Sequence, residues 1–373
     1  MKSVGIYIHI PFCIKKCHYC DFCSYQSTVY DMAEYCRELC RRIEEKSEDC
    51  REYTVDTVYF GGGTPTLLDC GRFERILRSV DGAFGIEKDA EITVETNPKT
   101  ADAQKLAALR SLGVNRLSIG MQSVHDVELR ALGRIHTFSD FKECLADARE
   151  AGIDNISADL MYGIPCQTRE SFARSVLTLC ELGVEHVSSY CLTVEPDTPF
   201  GRRKELILPD EDAVADMYDA MSELLEARGY FKYEISNFAH KGRESKHNNK
   251  YWTLEDYLGF GPAAHSFYNG VRYAHTRDID AYCRGESIYC DVQRISGSEE
   301  MNEYVMLGMR LARGITIADF EARFKADFDS CFGQKLRKYA PEYVYIDGEV
   351  CRFTPRGMFV SNAILSDALD FGC

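Results

Sequence analysis

Residues 7–22 read YIHIPFCIKKCHYCDF and place Cys13, Cys17 and Cys20 in the order C-x3-C-x2-C near the start of the chain. A [4Fe-4S] cluster contains four irons, each of which takes a thiolate or a substitute. Three closely spaced cysteines therefore hold three irons and leave the fourth open to a small molecule. This stretch predicts an iron–sulfur site with one open coordination position.

Two other uses of these cysteines are less favoured. C-x-x-C pairs also occur in zinc sites, and Cys23 offers a fourth thiolate, but structural zinc sites usually separate their ligand pairs by a longer loop. A disulfide is weaker still, because Met1 is followed by a polar dipeptide and a strand-like segment, with no secretory signal. The seventeen cysteines of the chain therefore indicate the reducing cytoplasm, and Cys23 is expected to be a bystander.

Composition limits the classes of partner. The 373 residues, of which 45% are hydrophobic, suffice for one large core and a smaller appended domain. A formal net charge of −15 disfavours a surface that follows phosphates, so no nucleic acid is expected as a partner. No apolar run is long enough to cross a bilayer, so any membrane contact is expected to be peripheral.

Short β-branched runs alternate with amphipathic helical stretches as far as about residue 240. The predicted strands are Val4–Ile10, Thr54–Phe60, Glu91–Glu95, Arg116–Gly120, Asn155–Met161 and His186–Val194. The predicted helices are Met32–Lys46, Gly71–Val80, Ala101–Leu112, Phe138–Ala151, Arg169–Leu182 and Asp210–Arg228. Six β–α units in series predict an α/β fold whose parallel sheet curls into a partial (βα)6 barrel.

Three regions are expected along the chain. Residues 1–240 form the barrel, and residues 241–296 form a connecting region with a loop, from His247 to Phe267, that is rich in His, Asn, Gly and aromatic residues. Residues 297–373 form a small C-terminal domain of short helices with a hairpin from Tyr343 to Phe353, in an arrangement similar to a winged helix.

Polar residues follow four of the predicted strands. Glycines at 61–63 follow the second strand, Glu95 ends the third, Gln122 follows the fourth, and Asp159 lies near the end of the fifth. The C-terminal ends of parallel strands meet at one rim, where barrels carry their sites. Unpaired charge is costly there. These side chains therefore either pair with one another, for example Asp159 with Arg134, or bind the polar groups of a zwitterionic nucleoside, which the nearby cysteines favour.

Several motifs resemble one known superfamily. Residues 7–22, GGGTPT at 61–66, ETNP at 95–98, RLSIGMQS at 116–123 and DLMYGIP at 159–165 are similar to the radical S-adenosylmethionine superfamily. More narrowly, the chain resembles the branch shared by oxygen-independent coproporphyrinogen III oxidase and the HemW-type haem chaperones. The resemblance covers nearly the whole chain, including TPRG at 354–357.

This resemblance implies roles for individual residues. Cys13, Cys17 and Cys20 would hold the cluster, and S-adenosylmethionine would chelate the open iron through its amino and carboxylate groups. The positions implied to contact this first S-adenosylmethionine are Tyr7, Gly62 and Glu95. The positions that match contacts to a second S-adenosylmethionine in the oxidase are Tyr19, Gly63, Thr64, Gln122, Arg134 and Asp159.

Two features separate the sub-branches. The oxidase pattern continues its triad as C-x-C and has a long N-terminal extension, whereas this chain has Phe22 at the corresponding position and no such extension. The stretch HNNKYW at 247–252 matches the H-N-x-x-Y-W motif of the chaperones and contains the single tryptophan. Taken alone, His247 is more often a hydrogen-bonded structural histidine. The resemblance implies instead that His247, Tyr251 and Trp252 bind haem, with imidazole as the iron ligand.

The predicted function is therefore that of a haem chaperone, which binds haem and transfers it to an acceptor protein while carrying a [4Fe-4S] cluster and S-adenosylmethionine. The resemblance also implies an electron donor such as flavodoxin or ferredoxin, and a homodimer. The alternative function is oxygen-independent coproporphyrinogen III oxidase, a radical oxidative decarboxylation in porphyrin biosynthesis.

Overall fold

Six parallel strands form the centre of the protein in the computed structural model, which describes residues 2–50, 52–286 and 289–369. These strands are β1 (Lys2–Ile10), β2 (Tyr53–Gly62), β3 (Ile86–Thr96), β4 (Arg116–Gln122), β5 (Ile156–Tyr162) and β6 (His186–Cys191). They pair in chain order, each parallel to the next. The predicted α/β fold with a parallel sheet is confirmed.

Helices cross over between these strands. They are α1 (Met32–Ser47), α2 (Cys70–Phe84), α3 (Ala103–Ser111), α4 (Asp126–Ala131), α5 (Phe138–Glu150), α6 (Arg169–Leu182) and α7 (Glu211–Glu226). All but α4 begin at an N-cap whose side chain accepts a hydrogen bond from the first turn: Asp31, Asp69, Asp102, Thr137, Thr168 and Asp210. The short α4 lacks such a cap and was not predicted from the sequence.

Six more strands extend the sheet at both edges. They are β7 (Phe231–Lys232), β8 (Asn237–Ala239), β9 (Tyr257–Phe260), β10 (His265–Tyr268), β11 (Val271–His275) and β12 (Tyr289–Arg294). Within the described ranges the sheet has twelve strands in the order β12-β11-β10-β9-β1-β2-β3-β4-β5-β6-β8-β7. Strand β9 is parallel to β1, and β8 is antiparallel to β6.

The predicted loop from His247 to Phe267 is wrong, because most of it is regular structure. It contains α8 (Lys246–Thr253), all of β9 and the start of β10. The polar composition that suggested a loop supplies the cap of α8: Ser245 accepts a hydrogen bond from the backbone N–H of Asn248. Glu91 on β3 accepts the N–H groups of Lys246 and His247. Polar residues therefore attach this helix to the sheet.

The C-terminal part has its own apolar core. Its helices, with the preceding α9 (Ile279–Cys283), are α10 (Ser298–Gly308), α11 (Ile317–Phe324), α12 (Gln334–Leu336), α13 (Pro355–Phe359) and α14 (Ser361–Ala368). Its three strands are β13 (Ile315–Thr316), β14 (Val344–Ile346) and β15 (Val350–Phe353), in the order β13-β15-β14. Strands β14 and β15 form the hairpin predicted between Tyr343 and Phe353. Buried Val305, Phe320, Phe328 and Phe353 fill this core.

No helix in residues 2–50, 52–286 and 289–369 is both long enough and apolar enough to cross a bilayer.

Candidate functional site

One cavity of about 550 Å³ lies where strands β2 to β6 end. A residue near the end of each strand lines it: Gly62, Glu95, Gly120, Met161 and Tyr190. Because successive residues of a strand point to opposite sides, Glu95 and Ser118 lie opposite each other and face the cavity together. Asp159 and Ser188 do the same on β5 and β6.

Residues 11–27, here called the cysteine loop, close one side of this cavity. Cys13, Cys17 and Cys20 are half-buried and line it. A short parallel pairing of Phe12–Cys13 with Tyr25–Gln26 holds the two ends of the loop together. The buried ring of His9 is 2.8 Å from the Cys23 carbonyl oxygen through Nε2 and supports the returning segment.

The three thiols meet different neighbours. Thr64 donates its hydroxyl to the Cys13 Sγ across 3.7 Å, and Arg134 Nη1 donates to the Cys17 Sγ across 3.5 Å. Burial raises the pKa of Cys20 to about 11 and also raises that of Cys13. Without metal these two thiols are therefore protonated at neutral pH.

This donor set fits an iron–sulfur cluster. Among the described residues, no three His, Cys, Asp or Glu side chains are arranged to hold a single metal ion, and a cubane cluster takes each thiolate on a separate iron. Cys23 is buried, with its Sγ 3.7 Å from the Tyr25 hydroxyl and 3.5 Å from the Arg277 carbonyl oxygen. It does not line the cavity with the other three.

Arg134 links the cysteine loop to the strand ends. Its Nη2 donates to Asn97 Oδ1 across 2.6 Å and to the Gly120 carbonyl oxygen, while Asn97 Nδ2 donates to Thr64 across 2.9 Å. The alternative in which Arg134 pairs with Asp159 is not observed, since no ion pair joins them in the described structure. Asn97 was not singled out from the sequence, although its place two residues after Glu95 puts both on one side of the strand.

Two carboxyl groups face the cavity. Glu95 accepts hydrogen bonds from the Tyr59 hydroxyl at 2.8 Å and the Gly62 N–H at 3.1 Å. Asp159 accepts one from the Ser118 hydroxyl at 3.2 Å. Their depth in the protein raises the pKa of Glu95 to about 7 and that of Asp159 to about 6. Both groups can therefore change charge near neutral pH when a ligand replaces the cavity water.

The predicted S-adenosylmethionine residues are mostly brought together. Those that line the cavity are Tyr19, Gly62, Gly63, Glu95, Gln122, Arg134 and Asp159. Thr64 contacts Cys13 and Asn97, as described above. Tyr7 lies one layer away, with its ring stacked on Tyr59 at 6.2 Å and its hydroxyl 3.0 Å from His9 Nδ1. The volume, the carboxyl groups and the glycine backbone fit a zwitterionic nucleoside.

His247 is enclosed in the protein and does not lie on an open surface. Its side chain is 1% exposed, with Nδ1 2.8 Å from the Thr57 hydroxyl and Nε2 2.8 Å from the Tyr251 hydroxyl. Its ring stacks on Tyr59 at 5.2 Å. Burial lowers its pKa to about 3, so the imidazole is neutral. In this conformation both imidazole nitrogens are within hydrogen-bond distance of a hydroxyl group, and the role of His247 as a haem ligand stays a prediction.

Trp252 lies near the junction of α8 and α10. The Arg310 guanidinium is 5.9 Å from the indole ring centre, and the buried indole N–H has no hydrogen-bond partner in the described structure.

Two aromatic side chains occupy a more open position at the cavity mouth: Phe22, 67% exposed, and Tyr190, 45% exposed. From the sequence, Phe22 stands out only as the replacement of a cysteine in the oxidase pattern, and Tyr190 is not predicted as a site residue.

Comparisons with known proteins agree with this geometry. Residues 7–179 match the family model of the Radical SAM superfamily, and residues 295–360 match that of the HemN C-terminal domain. The chain is 35% identical to "Heme chaperone HemW" of Bacillus subtilis, over 98% of both chains, and 33% identical to that of Escherichia coli, also over 98% of both.

Among solved structures, coproporphyrinogen III oxidase (HemN) from Escherichia coli superposes with a TM-score of 0.88. The match covers 100% of this chain and 91% of that one. At 22% identity this likeness concerns the fold alone.

Proposed function

This chain belongs to the HemW family of haem chaperones within the radical SAM superfamily, and we propose that it binds haem and passes it to an acceptor protein. One observation supports this most directly: three thiols, two carboxyl groups and an open aromatic mouth share one cavity. The cavity thus offers a place for a cluster and a nucleoside inside, and an apolar surface outside.

The cluster would be held by Cys13, Cys17 and Cys20, with S-adenosylmethionine on its open iron. When bound, this pair supplies one-electron chemistry that the protein side chains lack. Arg134 holds the cysteine loop against the strand ends and keeps a positive charge beside Cys17. Glu95 and Asp159 would accept hydrogen bonds from amino or hydroxyl groups of the nucleoside, and both carboxyl groups lose their protons near neutral pH, because burial raises their pKa.

Haem is a flat molecule with apolar faces, and we place it at the cavity mouth. Phe22 and Tyr190 present ring surface to solvent there, which a macrocycle face would cover. The HNNKYW segment supports the site indirectly: the His247 ring stacks on Tyr59, and the Tyr59 hydroxyl donates a hydrogen bond to Glu95. In this proposal haem contacts Phe22 and Tyr190, and the HNNKYW segment does not touch it.

The test is an anaerobic titration of the reconstituted protein with haem, followed by addition of apomyoglobin as a generic acceptor. We expect binding of one haem per chain and its transfer to apomyoglobin. Coproporphyrinogen III is then offered with S-adenosylmethionine and dithionite, and no porphyrin product is expected. Turnover of coproporphyrinogen III, or failure to bind haem, would overturn the proposal in favour of a porphyrin-modifying enzyme.

The cellular setting is also proposed from the family. We place the protein in the cytoplasm, with a flavodoxin or ferredoxin as electron donor, at most peripheral membrane contact, and a homodimer as the assembly. Sedimentation velocity with and without haem tests the dimer, and a single monomeric species in both conditions would remove it.

A further inference from the structure

Arg116 is a buried cation with an incomplete set of contacts. It is the first residue of β4, is 2% exposed and lines the cavity with Ser118 and Gly120. No hydrogen bond or ion pair within 4 Å joins its guanidinium to another described residue, and its buried Nε has no partner. A buried charge normally has a partner, because removing it from water is costly.

The neighbours of Arg116 do not supply that partner. Burial lowers the pKa of His186 and of His247, and the positive charge of Arg116 lowers both further. His186 bonds to Ser157 at 2.7 Å and to Tyr233 at 2.8 Å, and His247 is bonded as described. Both imidazoles are therefore neutral and already paired.

A second unpaired polar atom lies beside Arg116. Thr93 is opposite it on β3, is fully buried, and its hydroxyl has no hydrogen-bond partner. Burial raises the pKa of Glu95 and of Asp159, and the charge of Arg116 offsets only part of this rise, because neither carboxyl forms an ion pair with Arg116. Their hydrogen bonds go to Tyr59, Gly62 and Ser118. A donor group thus points into the cavity with no acceptor from the described residues.

We infer that Arg116 binds a carboxylate group of a ligand that enters this cavity. A planar guanidinium matches a carboxylate in a two-bonded fork. A phosphate is disfavoured, because its second charge would face Glu95 and Asp159 across the same cavity.

The inference rests on the proposed function, since both proposed ligands carry carboxylates. The source is either the α-carboxylate of a second S-adenosylmethionine molecule, other than the one on the open iron, or a propionate of haem. Each has a counterpart without the group: 5′-methylthioadenosine lacks the amino-acid part, and haem dimethyl ester has esterified propionates. These four probes distinguish the two sources.

The test compares the reconstituted protein with Arg116→Met and Arg116→Lys by anaerobic calorimetric and optical titration. Arg116→Met should weaken binding of one carboxylate probe at least tenfold and leave its carboxylate-free counterpart unchanged. Arg116→Lys keeps the charge but loses the fork, so it should give a smaller loss. Arg78→Met, on an exposed arginine outside the cavity, is the matched control.

A stability measurement separates binding from a structural role. Arg116→Met removes an unpaired buried charge, so the unliganded variant should melt at the same temperature as the original or higher. A lower melting temperature together with equal losses for all four probes would show that Arg116 only supports the fold. Unchanged binding of all four would also overturn the inference while leaving the proposed function intact. Failure of the original protein to bind haem would instead count against the proposed function.

Discussion

Arg134 and Cys17 are in direct contact: Nη1 of the arginine donates to the Cys17 Sγ across 3.5 Å, although 117 residues separate them in the chain. The same guanidinium bonds Asn97 and the Gly120 carbonyl oxygen at the ends of β3 and β4. One side chain therefore joins the cysteine loop to the sheet. Loss of this contact should therefore lower both the stability of the protein and its cluster content.

Replacement of Arg134 by methionine should lower both the cluster content and the free energy of unfolding. The change leaves Asn97 and the Gly120 carbonyl without their donor, which costs about 1–3 kcal/mol. Iron analysis after anaerobic reconstitution and urea denaturation measure the two effects. Arg130→Met, on the exposed side of α4, is the control and should change neither. Full iron content in Arg134→Met would show that the loop is held without it.

The three cavity cysteines should be separable from Cys23 by substitution. Cys13→Ala, Cys17→Ala and Cys20→Ala each remove one iron ligand, so we expect loss of nearly all cluster iron and sulfide. Cys23→Ala should retain both, because its thiol contacts Tyr25 and Arg277 and does not line the cavity. Equal losses in all four variants would instead indicate a four-cysteine site.

The contribution of Glu95 and Asp159 to the stability of the unliganded protein should fall as pH rises from about 4 to 7, whereas buried histidines such as His9 and His247, whose pKa burial lowers, contribute in the opposite direction. Glu95 and Asp159 have pKa values raised by burial to about 7 and about 6, so the folded state holds their protons more tightly than the unfolded chain does. Folding is therefore favoured below these values and penalised above them, the reverse of a salt-bridged carboxylate. Water in the cavity moderates the penalty from Glu95 to on the order of 1–2 kcal/mol.

Glu95→Gln provides the matched variant for this pH dependence. The neutral amide should make the slope of melting temperature against pH more positive than in the original protein, and it should weaken S-adenosylmethionine binding. A slope identical to that of the original protein would show that Glu95 does not carry the effect. Binding of S-adenosylmethionine to the original protein should strengthen as pH rises through about 7, as the carboxylate forms.

Phe22 should contribute to haem binding and little to folding. Its side chain is 67% exposed at the cavity mouth, so Phe22→Ser should weaken haem binding by about tenfold while the melting temperature stays within a degree or two. Val29→Ser is a suitable control, because Val29 is 62% exposed and does not line the cavity. Equal haem affinity in Phe22→Ser would exclude this ring from the haem surface.

The parts of this protein that the sequence predicts are those fixed by local pattern. Six strands and six helices follow from periodicity and from caps such as Asp31 and Thr137, which act within one turn. The pairing of β9 with β1 could not be predicted, because it joins segments some 250 residues apart. Likewise, the alternation of β4 puts Arg116 on the same side as Ser118, but only the folded sheet shows that no partner approaches it.

The burial of His247 in the HNNKYW segment is another feature that the sequence did not predict. Substitution of His247 tests whether this residue binds haem. The motif indicates the family correctly, yet its histidine is bonded on both nitrogens inside the protein. His247→Ala leaves the Thr57 and Tyr251 hydroxyls without a partner and opens a cavity, so it should lower the free energy of unfolding by about 2–4 kcal/mol. His247→Gln, which can still bond to one of them, should lower it less.

The informative measurement is haem binding in the folded His247 variants. Because the imidazole does not reach solvent, both should bind one haem per chain with optical spectra like that of the original protein, at a temperature where both remain folded. Loss of haem stoichiometry in His247→Gln with near-normal stability would mean that α8 opens to present the imidazole to iron. That result would move the haem from the cavity mouth to the motif, and Phe22→Ser would then bind haem normally.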